Sequence, residues 1–229
     1  MRDRELNKFA DRRDAGNQLA GKLQTYRGKS GVIVLGLPRG GVVVAYEIAR
    51  NLGLPLDVLM VRKVGVPWQP ELAMGAIAEG GAEIFNRGIM SDLGISESDW
   101  MNVAEAERCE LARREKLYRS GRSIPALSGK TVILVDDGLA TGATMRAALK
   151  ALELQGVQRR VIAVPVAEER VAEEFERVCD EFVCIMRPHA LGAIGLWYEC
   201  FEQVRDEEVM ELMESARFPR TPTRRRPYV

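Results

Sequence analysis

Five short runs of β-branched and aliphatic residues punctuate the chain: VIVLG (32–36), LDVLMVR (56–62), TVILVD (131–136), RVIAVPV (160–166) and EFVCIMR (181–187). They are apolar on both faces, as strands covered on both sides must be. Between most of them the apolar residues fall at helical spacing, over 42–52, 143–154 and 168–178, each with good helix formers and a glycine or polar residue near its end. Strands alternating with helices in this way predict an α/β fold: an open, mainly parallel, twisted sheet flanked by helices.

One long insertion interrupts the alternation. After Arg62 the pattern predicts a loop rich in proline and glycine, then two short extended pieces around AMGAIAE and AEIFN, then a charged helix from about 96 to 118. Ser96 and Asp99 stand at helix-start spacing. Few apolar residues anchor the stretch from Arg62 to Glu79, so it reads as a flexible loop able to close over a ligand. Residues 6–23 form an amphipathic helix before the first strand, and ALGAIGLWYECFEQVRDEEVMELM gives a loop and a terminal helix after the last. The expected organisation is one domain over 1–216, with a core at about 30–190 and a small hood from about 1–25 and 188–216. The basic tail, 217–229, is expected to be flexible.

Composition narrows the class without naming a chemistry. With 46% hydrophobic and 29% charged residues in 229, the chain can bury a proper core and is neither disordered nor fibrous. No apolar run reaches the length of a membrane span, and MRDRELNKFADRRD lacks the apolar centre of a secretory signal, so a cytoplasmic location is expected. The formal charge is zero, but RFPRTPTRRRPYV holds five arginines and no acid, which leaves the body mildly acidic and without a nucleic-acid footprint. The tail reads as a solvated end; contact of Arg224, Arg225 and Arg226 with RNA or a neighbouring subunit stays open. Cys109, Cys179, Cys184 and Cys200 form no CxxC pair and His189 is the single histidine, so reduced thiols are expected rather than zinc or a disulfide framework.

The chemistry is concentrated in VILVDDGLATGAT (132–144). Asp136 and Asp137 fall at the carboxyl end of a strand, where open parallel sheets bind ligands. Ionised carboxylates only accept hydrogen bonds, so their natural partners are neighbouring hydroxyls or a divalent cation. Gly138, Leu139, Ala140, Thr141, Gly142, Ala143 and Thr144 then make a turn of small residues opening a helix, whose unpaired N–H groups suit a phosphate. Acids beside a phosphate cradle suit a sugar phosphate, ribose 5-phosphate for example. Two further segments add cations: GLPRGGV (36–42), where Pro38, Arg39, Gly40 and Gly41 open a helix, and RKVGVPWQPE (62–71), where Arg62 and Lys63 follow a strand.

Four apolar residues, two acids and TGxT closing the loop resemble the signature of the type I phosphoribosyltransferases, and the resemblance covers about residues 30–190. It implies transfer of phosphoribosyl from 5-phosphoribosyl 1-pyrophosphate to a nucleobase or other small nitrogen nucleophile, with Mg2+ as cofactor and pyrophosphate released. Asp136 and Asp137 would hold the ribose and, through water, the metal. Pro38 to Gly41 would bind pyrophosphate with Arg62 and Lys63, and Arg39 to Gly40 would be the cis peptide found in that loop. Arg62 and Lys63 resemble the Arg-Lys pair of adenine-specific members, on the family's catalytic loop. Glu71 would take the nucleophile's proton in place of the aspartate that 6-oxopurine members carry where Ala140 stands here. His189, Trp197 and Tyr198 lie where a base-binding hood is expected; a core role for Trp197 and Phe201 is the competing reading. No cysteine follows Met1, which speaks against a glutamine-hydrolysing half, and the DTGGT ending of the related synthetases is missing. RKxGxPxxPExAxGAIAEG and WYxxFxQVxDEEV both match a poorly characterised bacterial branch with unassigned acceptors. A homo-oligomer, a dimer, is expected. The alternative to an enzyme is a sensor that binds 5-phosphoribosyl 1-pyrophosphate or nucleotides without turnover.

Overall fold

The computed structural model describes residues 8–217, apart from positions 80, 120 and 123 and the side chain of Glu71. Its central sheet contains β1 (Val32–Gly36), β2 (Leu56–Val58), β6 (Thr131–Val135), β7 (Arg159–Val166) and β8 (Glu181–Met186). The order is β2-β1-β6-β7-β8, with every neighbouring pair parallel. Successive residues of β1 serve opposite faces. Val32 and Val34 meet α1 (Arg12–Lys22) and α2 (Gly40–Leu52) through Leu19, Val44 and Ile48. Ile33 and Leu35 meet α5 (Ala143–Leu154) and α6 (Glu169–Glu176) through Met145, Leu149 and Phe175. Each such side chain contributes roughly 1.5–3 kcal/mol on full burial, which is why VIVLG, TVILVD and RVIAVPV settle as the inner strands, with LDVLMVR and EFVCIMR supplying the edges. Gly16 lets α1 press on α2, since a Cβ there would lie 2.7 Å from the Val44 carbonyl oxygen.

The insertion is ordered where a loop was expected. β3 (Val61–Val66), β4 (Gln69–Ala78) and β5 (Ala82–Phe85) form a separate antiparallel sheet, followed by α3 (Arg87–Asp92) and α4 (Glu97–Arg119). LDVLMVR is therefore two strands. The Leu59 N–H still bonds the Gly36 carbonyl of β1, whereas the Met60 carbonyl already accepts from Glu79 of the hairpin. Val64 and Val66 are fully buried beside Met74, Ile77 and Trp100, so two valines at strand spacing outweigh the local prolines and glycines. Gly65 marks a bulge in the β3–β4 register, and a Cβ there would meet the Pro70 carbonyl oxygen at 2.4 Å. The charged helix begins where the start signal lies: the Ser96 N–H donates to Asp99 at 3.0 Å and the Asp99 N–H to Ser96 Oγ at 3.2 Å.

At the far end of α4, Arg119 is 1% exposed. Its Nε donates to Asp57 at 2.8 Å, and its other nitrogens reach Glu79 and the Val58 carbonyl. Glu79 Oε2 is buried without a partner among the described residues. One buried guanidinium thus ties the end of β2 to β4 and α4.

The chain ends meet, with a later helix start than periodicity suggests. The Phe9 N–H donates to the Trp197 carbonyl, and the Phe9 and Ala10 carbonyls accept from Glu199 and Cys200. This extended pairing postpones α1 to Arg12, where Asp11 caps it by accepting the Asp14 N–H at 2.8 Å. The terminal helix α7 (Asp206–Arg217) packs against α2 and α4. Of the expected tail only Arg217 lies inside the described residues, as the last residue of α7. No helix among the described residues is long and apolar enough to cross a membrane. All four cysteines are free, and burial pushes the Cys184 thiol up to about 11.

Candidate active site

β1 leads to β2 on one side, while β6 leads to β7 and β8 on the other. The loops after β1 and β6 therefore diverge over their carboxyl ends, the place where an open α/β sheet leaves a crevice. Asp136 and Asp137 stand at the end of β6, and the Pro38–Gly41 segment stands opposite, at the end of β1. The two loops touch. A Cβ on Gly40 would lie 1.8 Å from Asp137 Oδ2, and one on Gly41 would lie 2.7 Å from the Val135 carbonyl oxygen. These glycines admit the protein's own β6 end before any ligand is considered. The cis peptide is Pro38–Arg39, not Arg39–Gly40. Gly40 is already the first residue of α2, whose opening turn is closed by the Val42 N–H on the Arg39 carbonyl, a helical path that runs through trans peptides.

The aspartates differ in surroundings. Asp137 accepts from Arg12 Nε at 2.7 Å, and its carbonyl accepts the Tyr198 hydroxyl at 2.5 Å. Arg12 also donates to the Glu202 carbonyl at 2.7 Å and lies 3.7 Å over the Phe201 ring. Asp136 accepts the Asp137 N–H at 2.9 Å. Its burial, and then the adjacent Asp137 charge, push the Asp136 carboxyl well above the usual carboxylate range. Burial likewise raises the Tyr198 phenol, with Asp137 adding to it.

Beyond the acids, the loop to α5 divides into an inner and an outer part. Leu139 is 2% exposed, its N–H donates to Val166 at 2.8 Å, and its carbonyl accepts from Glu168. It pins the loop to β7, so its side chain faces the core rather than a ligand. Gly138 lies under Ile194, and Gly142, at φ 72°, caps α5 where a Cβ would meet the Phe175 ring at 2.5 Å. Thr141, Ala143 and Thr144 are exposed and Ala140 half-buried, around the first turn of α5. Those residues present hydroxyls and helix-start N–H groups outward.

The expected cations are held from outside the crevice. Arg39 is 3.8 Å from Asp206, which also accepts the Tyr118 hydroxyl at 2.6 Å. Arg62 Nε donates to Glu107 of α4 at 2.6 Å. Lys63 is exposed on β3 opposite Ala76, and this hairpin packs against α5. The Glu71 side chain falls outside the described residues; its backbone belongs to β4. A cavity of about 300 Å³ separates Arg39 and Gly40 from the hood segment 201–204, with Arg12 in its wall. His189 is not brought to the acids: its side chain is 90% exposed and pairs with Glu169. Trp197, half-buried, donates its indole N–H to the Leu191 carbonyl at 3.0 Å and packs with Phe9 and Tyr198. Arg12 is the site residue that sequence reasoning missed, since a lone arginine in a charged helix carries no local signal, whereas Tyr198 and Phe201 stand in the WYxxF pattern that marked the hood.

The chain is similar to known proteins over most of its length. A family model described as phosphoribosyl transferase domain matches residues 5–195. A Mycobacterium tuberculosis protein provisionally named a phosphoribosyl transferase is 43% identical over 208 residues, 91% of this chain and 47% of its own. The chain thus spans about half the length of that curated relative. The crystal structure of TT1426 from Thermus thermophilus superposes with a TM-score of 0.79 at 43% identity, covering 90% of this chain and 97% of that one.

Proposed function

Since the chain belongs to the phosphoribosyl transferase domain family, we propose that it transfers phosphoribosyl from 5-phosphoribosyl 1-pyrophosphate to a nucleobase or other small nitrogen nucleophile. The observation that carries this reading is the adjacency of two carboxylates and an exposed helix-start loop, Thr141 to Thr144, at the switch point of the sheet. The loop takes the 5-phosphate, Asp136 and Asp137 take the ribose hydroxyls, and Arg39 with Gly40 and Gly41 takes pyrophosphate. The nucleophile's nitrogen lone pair forms the new bond to C1 of the ribose. The C1–oxygen bond breaks, and pyrophosphate leaves with the electron pair. Carboxylates beside the ring stabilise its developing positive charge, and Lys63 meets the departing anion. Glu71 accepts the nitrogen's proton.

Mg2+ fits these residues in a limited way. Such an ion keeps several waters and is bound by one or two carboxylates together with substrate phosphates. Among the described residues no group of three or more His, Cys, Asp or Glu stands together as a metal site, but Asp136 and Asp137 offer the carboxylate pair. Arg12 pairs with Asp137, and the Asp136 carboxyl beside it is raised first by burial and then by the Asp137 charge. When bound, the ion neutralises charge on the leaving pyrophosphate. We place the enzyme in the cytoplasm as a homodimer, with residues 1–216 as one unit.

A second reading rests on the engagement of Arg62 by Glu107 and of Asp137 by Arg12, which suits a protein that binds the donor without turning it over. Pyrophosphate release, assayed with Mg2+ and a panel of purines, pyrimidines and other nitrogen nucleophiles, decides between them. Release with one acceptor supports transfer. Calorimetric donor binding without release from any acceptor supports the sensor, and no donor binding removes both.

A further inference from the structure

A second cavity, about 490 Å³, opens between α5 and α6, and none of the residues discussed for the donor lines it. Its walls carry Arg146, Lys150, Arg160 and Arg177, and its apolar surface is Leu149, Phe175 and Val178. Two acids in the wall, Glu153 and Glu174, together with Asp180, 3.5 Å from Arg160, offset only part of that charge. Lys150 pairs with Glu153 at 2.8 Å and Arg146 with Glu174 at 2.5 Å, all four being about half exposed, so these pairs are cheap to exchange for a stronger anion. Arg177 is exposed at the end of α6 and has no side-chain partner among the described residues. Val178 is 52% exposed at the rim.

We propose that this cleft binds a nucleoside diphosphate. The volume falls within the roughly 300–1,000 Å³ of small-molecule sites. Lys150, Arg160 and Arg177 supply separated cations for two phosphates, and guanidinium groups suit phosphate oxygens in particular. The nucleoside lies along Leu149 and Val178, with the Arg146 guanidinium, already 5.3 Å over the Phe175 ring, as a planar neighbour for the base. A nucleic-acid strand is disfavoured, because the cations gather around one cleft instead of following a stripe.

Arg146 gives the cleft a physical link to the donor loop. Its Nη1 donates to the Thr141 carbonyl at 2.6 Å while Nη2 reaches Glu174 across the cleft. A diphosphate that draws Arg146 inward takes that donor from Thr141 and loosens the turn proposed for the 5-phosphate. This link rests on the proposed function; the cleft does not.

The probe is ADP, followed by calorimetry and hydrogen exchange. The expected results are protection of the amides over 174–179 and a loss of ADP affinity of at least tenfold in Lys150→Gln with Arg177→Gln. Both positions are exposed, and the variant's affinity for ribose 5-phosphate should be unchanged. ADP should also weaken ribose 5-phosphate binding severalfold in the wild type. Protection confined to 136–144, wild-type ADP affinity in the double variant, or inorganic pyrophosphate binding the cleft as tightly as ADP would each overturn the proposal. Failure of ribose 5-phosphate to bind, with 174–179 still protected by ADP, would remove the transferase reading and leave the cleft standing.

Discussion

Gly40→Ala tests whether the glycine pair serves the protein's own architecture or only the approach of a ligand. The added Cβ would sit 1.8 Å from Asp137 Oδ2, 2.6 Å from Asp137 Cγ and 2.9 Å from Arg12 Nε. Because Cγ is struck as well as the oxygen, turning the carboxylate cannot relieve the clash, and the whole group must retreat by about an ångström. That retreat breaks or drags the 2.7 Å bond from Arg12. Overpacking costs about 1–3 kcal/mol, and a lost hydrogen bond between charged groups costs about 1.5–3 kcal/mol. A destabilisation of about 2.5–6 kcal/mol follows, without any ligand present. Urea unfolding measures it, and a cycle with Asp137→Ala isolates the cause. Once the carboxylate is gone, Gly40→Ala should cost less than 1 kcal/mol, giving a coupling of at least about 1.5 kcal/mol. Equal costs in the two backgrounds would refute the reasoning and return Gly40 to a role in ligand approach alone.

Three further outcomes are expected. The raised Asp136 carboxyl means that the folded protein keeps a proton the unfolded chain releases near its ordinary value of about 3.9. The stability from that proton is complete below the ordinary value and lost as pH rises through the raised one, so Asp136→Asn should gain on the wild type over that climb. Parallel stability curves between pH 4 and 8 would contradict this. Arg119→Met leaves Asp57 and Glu79 buried together and should cost about 3–5 kcal/mol in thermal or urea unfolding. Adding Asp57→Asn and Glu79→Gln should recover much of it, and no recovery would place Arg119's role in packing. Lys63→Ala should slow turnover at least tenfold while weakening donor binding less, because its charge matters most as pyrophosphate departs. An equal fall in both, by single-turnover kinetics and calorimetry, would make Lys63 a ground-state contact.

VIVLG, TVILVD and RVIAVPV were legible because burial on two faces leaves a continuous apolar run, with glycine and polar residues marking the ends of their helices, whereas EFVCIMR is a half-buried edge strand and LDVLMVR divides between two sheets. β1 and α5 lie where the pattern puts them. The hairpin was less legible. Between Arg62 and Glu79 the strand signal is carried by Val64, Val66 and Met74 among turn-forming residues, and their burial depends on Trp100, distant in sequence. The acids and the glycine loops could be found because each needs a local spacing. Arg12 could not, since its meaning comes from Asp137, 125 residues away. Leu139 and the two glycines before Val42 show the converse: local spacing located the loops, while the core and the neighbouring strand end decide which atoms face outward.

Arg12 donates to Glu202 across 190 positions, and Phe9 makes an isolated bridge to Tyr198. During synthesis the amino-terminal residues are therefore released long before their counterparts exist. The central sheet can close as soon as β8 emerges, but Arg12, which meets Asp137 directly, gains the Glu202 carbonyl and the Phe201 ring only when residues 201–202 have cleared the ribosome and the two segments have found each other. Contacts this far apart are the slowest to be rewarded by loop closure. The hood over the crevice is thus finished last, and a nascent chain stalled at β8 would carry a folded sheet whose mouth is still uncovered.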